Sequence, residues 1–389
     1  MKKKITIGLF TDSFFPMADG VCMVVDNYAR RLIKYADVYV FAPRYSEEFD
    51  DTKLPYEVIR CKSIKVPFID YPLPLPKVDR AFRKKIDSYK LDIVHIHSPF
   101  TIGKEGLLYG KRHNVPVVGT MHSQFKQDFM RAVKNNLLAT KLNNTLIRLF
   151  NKCDECWAVN KEVARIFYED YGYKCLPKTM NNATEMLPLK NRKEACDLIN
   201  KRHHLKDEKI LIFVGRINNL KNIFFIIDAL VELNKINKDL NYKMLFVGKG
   251  QDEEELKRRI KKNHLEEKVI MCGKITDREL LASYYVRSDL FLFPSYYDAS
   301  SIVQIESASQ KKPVLFLKDS ATSATVTNNV DGFIEEFDVK KYAKRINDII
   351  TNEKMLKEVG ENAYHNLYKN WDNAIEEVYN EYLRLIDEH

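Results

Sequence analysis

Short apolar runs alternate with helical patterns along this chain, and this alternation constrains its fold more than any other feature. In the first half the strand candidates are Ile5–Phe10, Val38–Phe41, Ile93–Ile96, Val117–Thr120 and Glu155–Val159. The helical patterns between several of them are Val21–Tyr35, Lys77–Tyr89, Gly103–His113 and Lys161–Tyr171. Such an alternation predicts a parallel sheet with helices on both faces, which is a doubly wound α/β domain.

The same pattern restarts after a junction near Asn182–Asn191. The second set of strand candidates is Ile210–Val214, Lys243–Val247, Val269–Cys272, Leu290–Phe293 and Val314–Leu317, and its helices are Ile223–Asn234, Asp252–Lys262, Asp277–Ser283 and Val303–Gln310. The tail Tyr342–Glu388 is helical in pattern. A chain of 389 residues is long enough for two separate cores. We therefore predict two doubly wound domains, with ligands bound at the carboxyl ends of their strands.

Composition narrows the function classes only a little. The chain starts MKKKITIGLF and enters an apolar strand too short for an export signal, and no stretch approaches the ~20 apolar residues of a membrane-spanning helix. Seven scattered cysteines suit a reducing cytoplasm, and the lone pair Cys153 and Cys156 indicates a structural role. A net charge of +9 fits nucleic acid, an anionic membrane or acidic small molecules. No nucleic-acid-binding signature is present, so we do not predict nucleic acid as a partner.

A strand, a polar loop and a helix follow one another at Phe293–Ser309. Asp298 stands in the loop, and Glu306 lies on the second turn of the helix. The first N–H groups of a helix are unpaired and its dipole is positive there, so this junction can bind an anion. Carboxylates beside a phosphate site commonly bind hydroxyl groups such as those of a ribose. The pattern suggests a phosphate-linked sugar; the alternative is an ordinary junction with a capping Asp and an exposed Glu.

A second candidate segment, ILIFVGRINNLKN, occupies Ile210–Asn222. A buried strand ends at Gly215, and Arg216 and Lys221 follow before the next helix. Two fixed cations at the carboxyl end of a strand can stabilise a departing diphosphate without a metal. The alternative is solvated charge in a loop.

These two motifs resemble those of the family 4 retaining glycosyltransferases of the GT-B superfold, possible relatives including the diacylglycerol glucosyltransferase type. They read GR-x4-K-N at Gly215–Asn222 and PS-x2-D-x7-E at Pro294–Glu306. Further matches, in family order, are Asp12–Gly20, Asp92–Pro99, Gly119–Phe125, Thr179–Asn182, Gly248–Gly250, Gly273–Leu280 and Trp371. The resemblance covers essentially the whole chain. It implies two Rossmann-like domains that face a central cleft: an acceptor-side domain at 1–184, a nucleotide-sugar domain at 185–370, and a helix at 371–389 that crosses back.

The chain departs from the family pattern at three places. Asp298 replaces the usual Glu and is one methylene shorter, Ser300–Ser301 replace Phe-Gly, and Asn182 replaces a linker Gly. The shorter carboxylate reaches less far toward a sugar hydroxyl than the Glu of the family pattern. Asn tolerates a positive φ better than most residues, so the linker exchange is mild.

The resemblance also implies roles for individual residues. Arg216 and Lys221 would stabilise the leaving diphosphate, Asp298 would hold a hydroxyl of the donor sugar, and His122 would contact that sugar by hydrogen bonding or as a general acid–base. Glu306 would bind the ribose, and the remaining donor contacts would come from Gly20, Gly215, Gly248, Gly250, Ile275, Ser301, Ile302 and Val303. His95 and His97 are expected to be mainly structural. No metal and no cofactor is expected beyond the nucleotide-sugar co-substrate, for which we expect a UDP-hexose.

The acceptor is less constrained than the donor. Gln124–Lys152 is helical in pattern and carries six basic residues against the single acid Asp128, with apolar residues at three- and four-residue steps. Such a helix can lie on an anionic membrane, which would place the protein at the inner face of the cell membrane and favour a lipid acceptor. Alternatively, the apolar stripe packs on its own domain and the acceptor is a soluble saccharide.

Three other function classes stay open. A GT-B epimerase or phosphorylase would share the fold, although no pyridoxal lysine is evident. A nicotinamide dehydrogenase would need G-x-G-x-x-G after the first strand, where this chain has GLFTDSFFPMADG. A non-catalytic sugar-nucleotide-binding protein is compatible with Asp298 and its neighbouring serines.

Overall fold

The structure, a computed structural model, describes residues 4–17, 19–47, 49–65, 71–296, 298 and 300–389, with the backbone alone at residue 132. Three residues of the motifs above, Ala18, Tyr297 and Ala299, lie outside the described residues. The chain divides into two compact units. The first unit comprises Met1–Asn182 and Trp371–His389, and the second unit comprises Ala183–Asn370.

A seven-stranded parallel sheet forms the centre of the first unit. Its strands are β1 (Thr6–Phe10), β2 (Asp37–Pro43), β3 (Glu57–Cys61), β6 (Ile93–Ile96), β7 (Val117–Met121), β8 (Glu155–Ala158) and β9 (Lys178–Thr179), and a separate antiparallel pair is formed by β4 (Ser63–Ile64) and β5 (Leu73–Pro74). The order across the sheet is β3-β2-β1-β6-β7-β8-β9. The central strands are buried on both faces, as continuous apolar runs predict.

Helices cover this sheet. They are α1 (Gly20–Leu32), α2 (Arg80–Ser88), α3 (Thr101–His113), α4 (Phe125–Val133), α5 (Asn136–Phe150) and α6 (Lys161–Arg165). The C-terminal helix, Trp371–Glu388, belongs to the same unit, where Tyr382 is fully buried. Asp19 and Asp79 cap α1 and α2 through their side chains, which sets where these helices begin.

The second unit repeats the architecture with six parallel strands. They are β10 (Lys209–Val214), β11 (Tyr242–Val247), β12 (Val269–Gly273), β13 (Leu290–Phe293), β14 (Val314–Leu317) and β15 (Phe333–Glu335), in the order β12-β11-β10-β13-β14-β15. Its helices are α7 (Arg192–His203), α8 (Ile223–Ile236), α9 (Glu253–Lys262), α10 (Arg278–Arg287), α11 (Ile302–Ser309), α12 (Val339–Ile350) and α13 (Glu353–Leu367). Both units are doubly wound, so the predicted α/β class is confirmed. In the parts of the chain described above, no helix is both long and apolar enough to cross a bilayer.

The basic segment Gln124–Lys152 is a helical hairpin rather than one continuous helix. Helix α4 ends at Lys134, whose φ is 50°, and the Asn135 side chain accepts a hydrogen bond of 3.1 Å from the N–H of Leu138 to start α5. A left-handed residue followed by an Asn cap breaks the helix although the apolar period continues through it.

Candidate functional site

The carboxyl ends of β10, β11 and β12 are joined through their main chains. Gly215 N–H donates to Val247 O (3.0 Å), and Gly248 N–H donates to Gly273 O (2.8 Å). A Cβ atom at Gly248 would lie 1.8 Å from Gly215 O, and one at Gly250 would lie 2.2 Å from Ile217 O. Only glycine permits this approach. The structure therefore brings three predicted donor-site glycines together at one edge of the sheet.

Lys221 and Asp298 form a direct ion pair at this edge. The Lys221 ammonium lies 2.7 Å from Oδ1 and 2.8 Å from Oδ2 of Asp298, and the Ser295 hydroxyl donates to Oδ2 at 2.6 Å. Nearby, the Asn222 amide donates to Pro294 O (2.7 Å) and ties the two motifs together. Both charged side chains are only about one-sixth exposed. An anionic ligand that binds Lys221 must therefore compete with Asp298 for the ammonium.

Arg216 provides a second cation at the end of β10. It follows Gly215 and is exposed. Among the described residues, its guanidinium has no hydrogen bond or ion pair. An unpaired guanidinium can form two parallel hydrogen bonds to phosphate oxygens.

Glu306 is buried, so the alternative of an exposed helix residue is wrong. Arg278 donates to its Oε1 (2.5 Å), and the Tyr285 hydroxyl donates to its Oε2 (3.2 Å). Burial, reinforced by the Glu306 charge, raises the pKa of Tyr285 well above its ordinary value, so this hydroxyl stays a donor. A ribose hydroxyl must join or displace these contacts. The sequence patterns did not point to Tyr285, whereas Arg278 lies inside the recognised segment Gly273–Leu280.

The other predicted donor residues of the second unit surround the start of α11. Ser301 is the N-cap residue, but its side chain makes no capping hydrogen bond, and Ile302 and Val303 begin the helix. Ile275 is half-buried and packs on the core of the unit. The contacts predicted for these four residues stay predictions.

In the first unit, Gly20 is the first residue of α1, and a Cβ there would meet open space. The Asp19 carboxylate already accepts from the N–H of Cys22 (2.7 Å) and from the Ser13 hydroxyl (2.5 Å). The start of α1 thus carries a negative side chain of its own. The donor contact predicted for Gly20 stays a prediction.

The start of α3 is held by Asp12, which lies in the recognised segment Asp12–Gly20, although the sequence patterns gave it no role of its own. This buried carboxylate accepts from the hydroxyl of Thr101 and the N–H of Ile102 (2.9 Å each) and from the N–H of Gly103 (3.3 Å). Burial nevertheless raises the pKa of Asp12 to about 6, because these hydrogen bonds only partly offset the loss of water.

His122 is a half-buried residue that follows β7 and lies beside two buried histidines, His97 and His95. Its Nε2 lies 3.1 Å from Nδ1 of His97, while His95 is hydrogen-bonded to the hydroxyls of Thr120 (2.6 Å) and Tyr382 (2.5 Å). Burial lowers the pKa of His122 to about 3 and lowers the pKa of the other two histidines well below the ordinary value. All three rings are therefore neutral at physiological pH. Within the described ranges, no three His, Cys, Asp or Glu side chains cluster closely enough to hold a metal ion.

Two family models match successive parts of the sequence. Residues 18–178 match the family described as Glycosyltransferase Family 4, and residues 197–366 match Glycosyl transferases group 1. The chain is a family 4 glycosyltransferase. Together the two matches cover most of its length, which leaves the dehydrogenase alternative without support.

Curated relatives of this glycosyltransferase include two proteins named alpha-monoglucosyldiacylglycerol synthase. That of Acholeplasma laidlawii is 24% identical and covers 92% of this chain and 91% of its own. That of Streptococcus pneumoniae is 25% identical and covers 79% of this chain and 70% of its own.

Solved structures show the GT-B fold of the family. Sucrose-phosphate synthase from Thermosynechococcus elongatus superimposes with a TM-score of 0.79 at 18% identity, covering 99% of this chain and 100% of that one. HepE of Anabaena in complex with UDP superimposes with a TM-score of 0.74 at 15% identity, covering 97% of this chain and 99% of that one.

Glu306→Gln is expected to weaken nucleotide binding by about tenfold, because hydrogen bonds to a charged group contribute roughly 1 kcal/mol more than neutral ones. The substitution also leaves Arg278 without its carboxylate. Calorimetric titration with UDP measures the effect. The matched control is Glu279→Gln, an exposed position on α10, which should bind as the wild type does. Equal affinities for both variants would remove Glu306 from the donor site.

Proposed function

We propose that this glycosyltransferase moves a hexose from a UDP-sugar to a hydroxyl of a membrane lipid of the diacylglycerol type, with retention at the anomeric carbon and without a metal. The observation that carries the donor half is the placement of two cations, Arg216 and Lys221, at the end of β10 beside the close approach of Gly215 and Gly248. Diphosphate binding at such a strand end is typical of doubly wound sheets.

The chemistry requires charge stabilisation above all. Departure of UDP places negative charge on the β-phosphate while the sugar gains oxocarbenium character. Lys221 is held in place by Asp298 before the reaction, and fixed charges of this kind stabilise the transition state most effectively. The exposed guanidinium of Arg216 adds a second positive charge at the same strand end. When the diphosphate engages Lys221, the Asp298 carboxylate is released to accept a hydrogen bond from a sugar hydroxyl. The ion pair of the unliganded protein would thus be exchanged for two contacts to the donor.

The choice of donor and stereochemistry draws on the relatives. The fold is shared with HepE structures in complex with UDP and with UDP-glucose. The curated relatives are named for an alpha-glucosyl product. The sugar of UDP-glucose is itself α-linked, so an α-linked product requires retention.

The choice of a lipid acceptor draws on the helical hairpin α4–α5. Leu146, Ile147 and Phe150 are buried, so the end of α5 packs on its own unit. At the turn, in contrast, Leu137 is 83% exposed and Leu138 is 45% exposed. We call Lys134–Leu138 the hairpin tip. At the hairpin tip, exposed apolar side chains stand beside cations, a combination that suits insertion into an anionic lipid surface.

The first unit also offers space for an acceptor. A cavity of about 490 Å³ is bordered by Met17, Arg44, Tyr45, Ile64 and Tyr71, among other residues. It lies beyond the carboxyl end of β2, and its lining combines apolar and polar groups. Such a lining fits an acceptor that presents a hydroxyl-bearing headgroup next to an apolar portion.

A donor screen tests the transfer reaction. Release of nucleotide is measured for UDP- and GDP-hexoses, with diacylglycerol in anionic vesicles, with soluble saccharides, and with excess chelator. We expect UDP release that depends on diacylglycerol and persists in chelator. Preference for a soluble saccharide would contradict the lipid acceptor, and metal-reversible loss of activity would contradict the metal-free mechanism. Absence of release with every donor would indicate a non-catalytic protein.

Vesicle binding tests the membrane part separately. Replacement of Lys134, Lys141 and Arg148 with Glu should abolish co-sedimentation with anionic vesicles and leave UDP binding intact, because each basic residue near the surface contributes about 1 kcal/mol. Binding of the wild type should weaken as salt is added. Reversal of three exposed lysines of the second unit, Lys340, Lys344 and Lys354, gives the same change in net charge and should have little effect. Wild-type protein that stays in the supernatant at low salt would contradict membrane docking.

A further inference from the structure

The histidine cluster of the first unit is ordered from one side by hydroxyl groups. His95 is fully buried, and its two ring nitrogens are hydrogen-bonded to Thr120 and Tyr382. The His97 ring contacts it with ring centroids 4.0 Å apart and a tilt of 30°, and the Tyr28 ring meets His97 at 85°. His97 therefore has little freedom to rotate.

From this position His97 contacts His122, the residue predicted to meet the donor sugar. Nδ1 of His97 lies 3.1 Å from Nε2 of His122, and the two rings are inclined by 22°. Two nitrogens of the pair have no hydrogen-bond partner among the described residues. One is Nε2 of His97, which is buried, and the other is Nδ1 of His122, whose side chain is only half-buried.

The distance between Nδ1 of His97 and Nε2 of His122 allows either ring to be the hydrogen-bond donor. The buried Nε2 atom of His97 indicates which of these two arrangements is favoured. If His97 accepted from His122, its own proton would stand on Nε2 as a buried N–H without a partner. If His97 donates from Nδ1, only a lone pair is left unpaired. Buried unpaired N–H groups are rarer in proteins than under-satisfied acceptors, so the second arrangement is favoured. Because both rings are neutral, each carries a single proton, and the choice made at His97 determines the tautomer of His122.

We propose that His97 is a positioning residue for glycosyl transfer: it donates from Nδ1 to Nε2 of His122 and thereby keeps the proton of His122 on Nδ1. In this tautomer His122 presents an N–H donor to a hydroxyl of the donor sugar and does not act as a general base. The inference rests on the proposed function in one respect, namely that His122 contacts the sugar. It gives His97 a role in the reaction where the sequence predicts only a structural one.

Nitrogen NMR of the wild-type protein tests the tautomer without any assay of activity. With ¹⁵N-labelled histidine, a protonated ring nitrogen resonates well upfield of an unprotonated one, and the His122→Asn variant identifies the His122 signals among the nine histidines. We expect the protonated signal at Nδ1 of His122 and the unprotonated signal at Nε2. The reverse assignment would overturn the proposal.

Two substitutions of His97 then separate positioning from packing. His97→Leu removes the donor and should lower kcat by about 10- to 100-fold, the range for a misoriented group, with KM for the donor changed less than kcat. His97→Asn retains an N–H near the position of Nδ1 and should recover most of that loss. His113→Leu removes an exposed histidine of the same unit and serves as the control.

The outcomes can be told apart. Equal losses in His97→Asn and His97→Leu would assign His97 to packing alone and overturn the proposal. If His97→Leu does not fold, the wild-type spectrum and the His97→Asn kinetics still decide. A wild type that transfers no sugar would overturn the proposed function, while the spectrum would still test the hydrogen bond.

Discussion

Lys221→Ala is expected to lower kcat for donor turnover by about 10²- to 10³-fold, the usual cost of removing one preorganised group that stabilises transition-state charge. Lys221 is held by Asp298 at 2.7 Å and lies over the Phe293 ring at 5.5 Å, so its ammonium is fixed before the donor arrives. Arg216→Ala should behave similarly. Turnover is followed by UDP release at saturating donor, so that weaker binding does not mask the effect on the chemical step.

Controls separate charge from stability. Lys221→Ala leaves the Asp298 carboxylate with the Ser295 hydroxyl as its described partner, so Lys221→Ala combined with Asp298→Asn tests whether an uncompensated charge disturbs the loop. Lys235→Ala removes an exposed lysine of α8 and should retain wild-type turnover. Near-normal turnover of Lys221→Ala, with the fold intact, would rule out Lys221 as a group that stabilises the leaving diphosphate.

The sequence predicts the central strands well and the edge strands poorly. Leu290–Phe293 and Val314–Leu317 are observed with the predicted bounds, because strands buried on both faces are continuous apolar runs. Glu57–Cys61 and Phe333–Glu335 are edge strands that mix charged and apolar residues, and no pattern indicated them. The break at Lys134 was also missed, because nothing in a Lys-Asn pair signals a positive φ.

For the site, too, the sequence predicts the local positions of the residues better than their tertiary contacts. Sequence patterns place Lys221 and Asp298 each after its own strand, but their contact joins residues 77 positions apart and depends on the pairing of β10 with β13. The partners of Glu306 come from a different helix, α10, and Tyr285 gives no signal there beyond its apolar ring. Motifs therefore identified which residues to consider, whereas the charge partners depend on how elements pack.

Acid is expected to destabilise the first unit steeply because of two buried histidines, His95 and His97, and the half-buried His122. In the unfolded chain His95, His97 and His122 bind protons near pH 6.5, whereas burial lowers the pKa of each in the folded unit. Their stabilising contribution is present above pH 6.5 and is lost as the pH falls toward the folded pKa values. Each proton bound only by the unfolded state lowers the free energy of unfolding by about 1.4 kcal/mol per pH unit of acidification, so three protons lower it by about 4 kcal/mol per pH unit.

Asp12 opposes this trend. Its folded pKa is raised to about 6 from 3.8, so the folded unit binds this proton first as the pH falls between those values, which stabilises it. Unfolding then takes up about two protons net between about pH 6 and 4. The free energy of unfolding should therefore fall by roughly 3 kcal/mol for each pH unit of acidification in that range. Asp12→Asn should remove the opposing contribution, so that unfolding takes up about three protons and the free energy of unfolding falls more steeply with acidification.

Urea titrations at a series of pH values measure this dependence. Both tryptophans of the chain, Trp157 and Trp371, lie in the first unit, so their fluorescence reports on that unit alone. His122→Asn should reduce the pH slope of the free energy of unfolding by about one proton, or ~1.4 kcal/mol per pH unit, and the exposed control His113→Asn should leave it unchanged. A free energy of unfolding that stays constant from pH 7 to pH 5 would show that the histidines are accessible to protons in the folded state, and the neutral pair of His97 and His122 would then lose its physical basis.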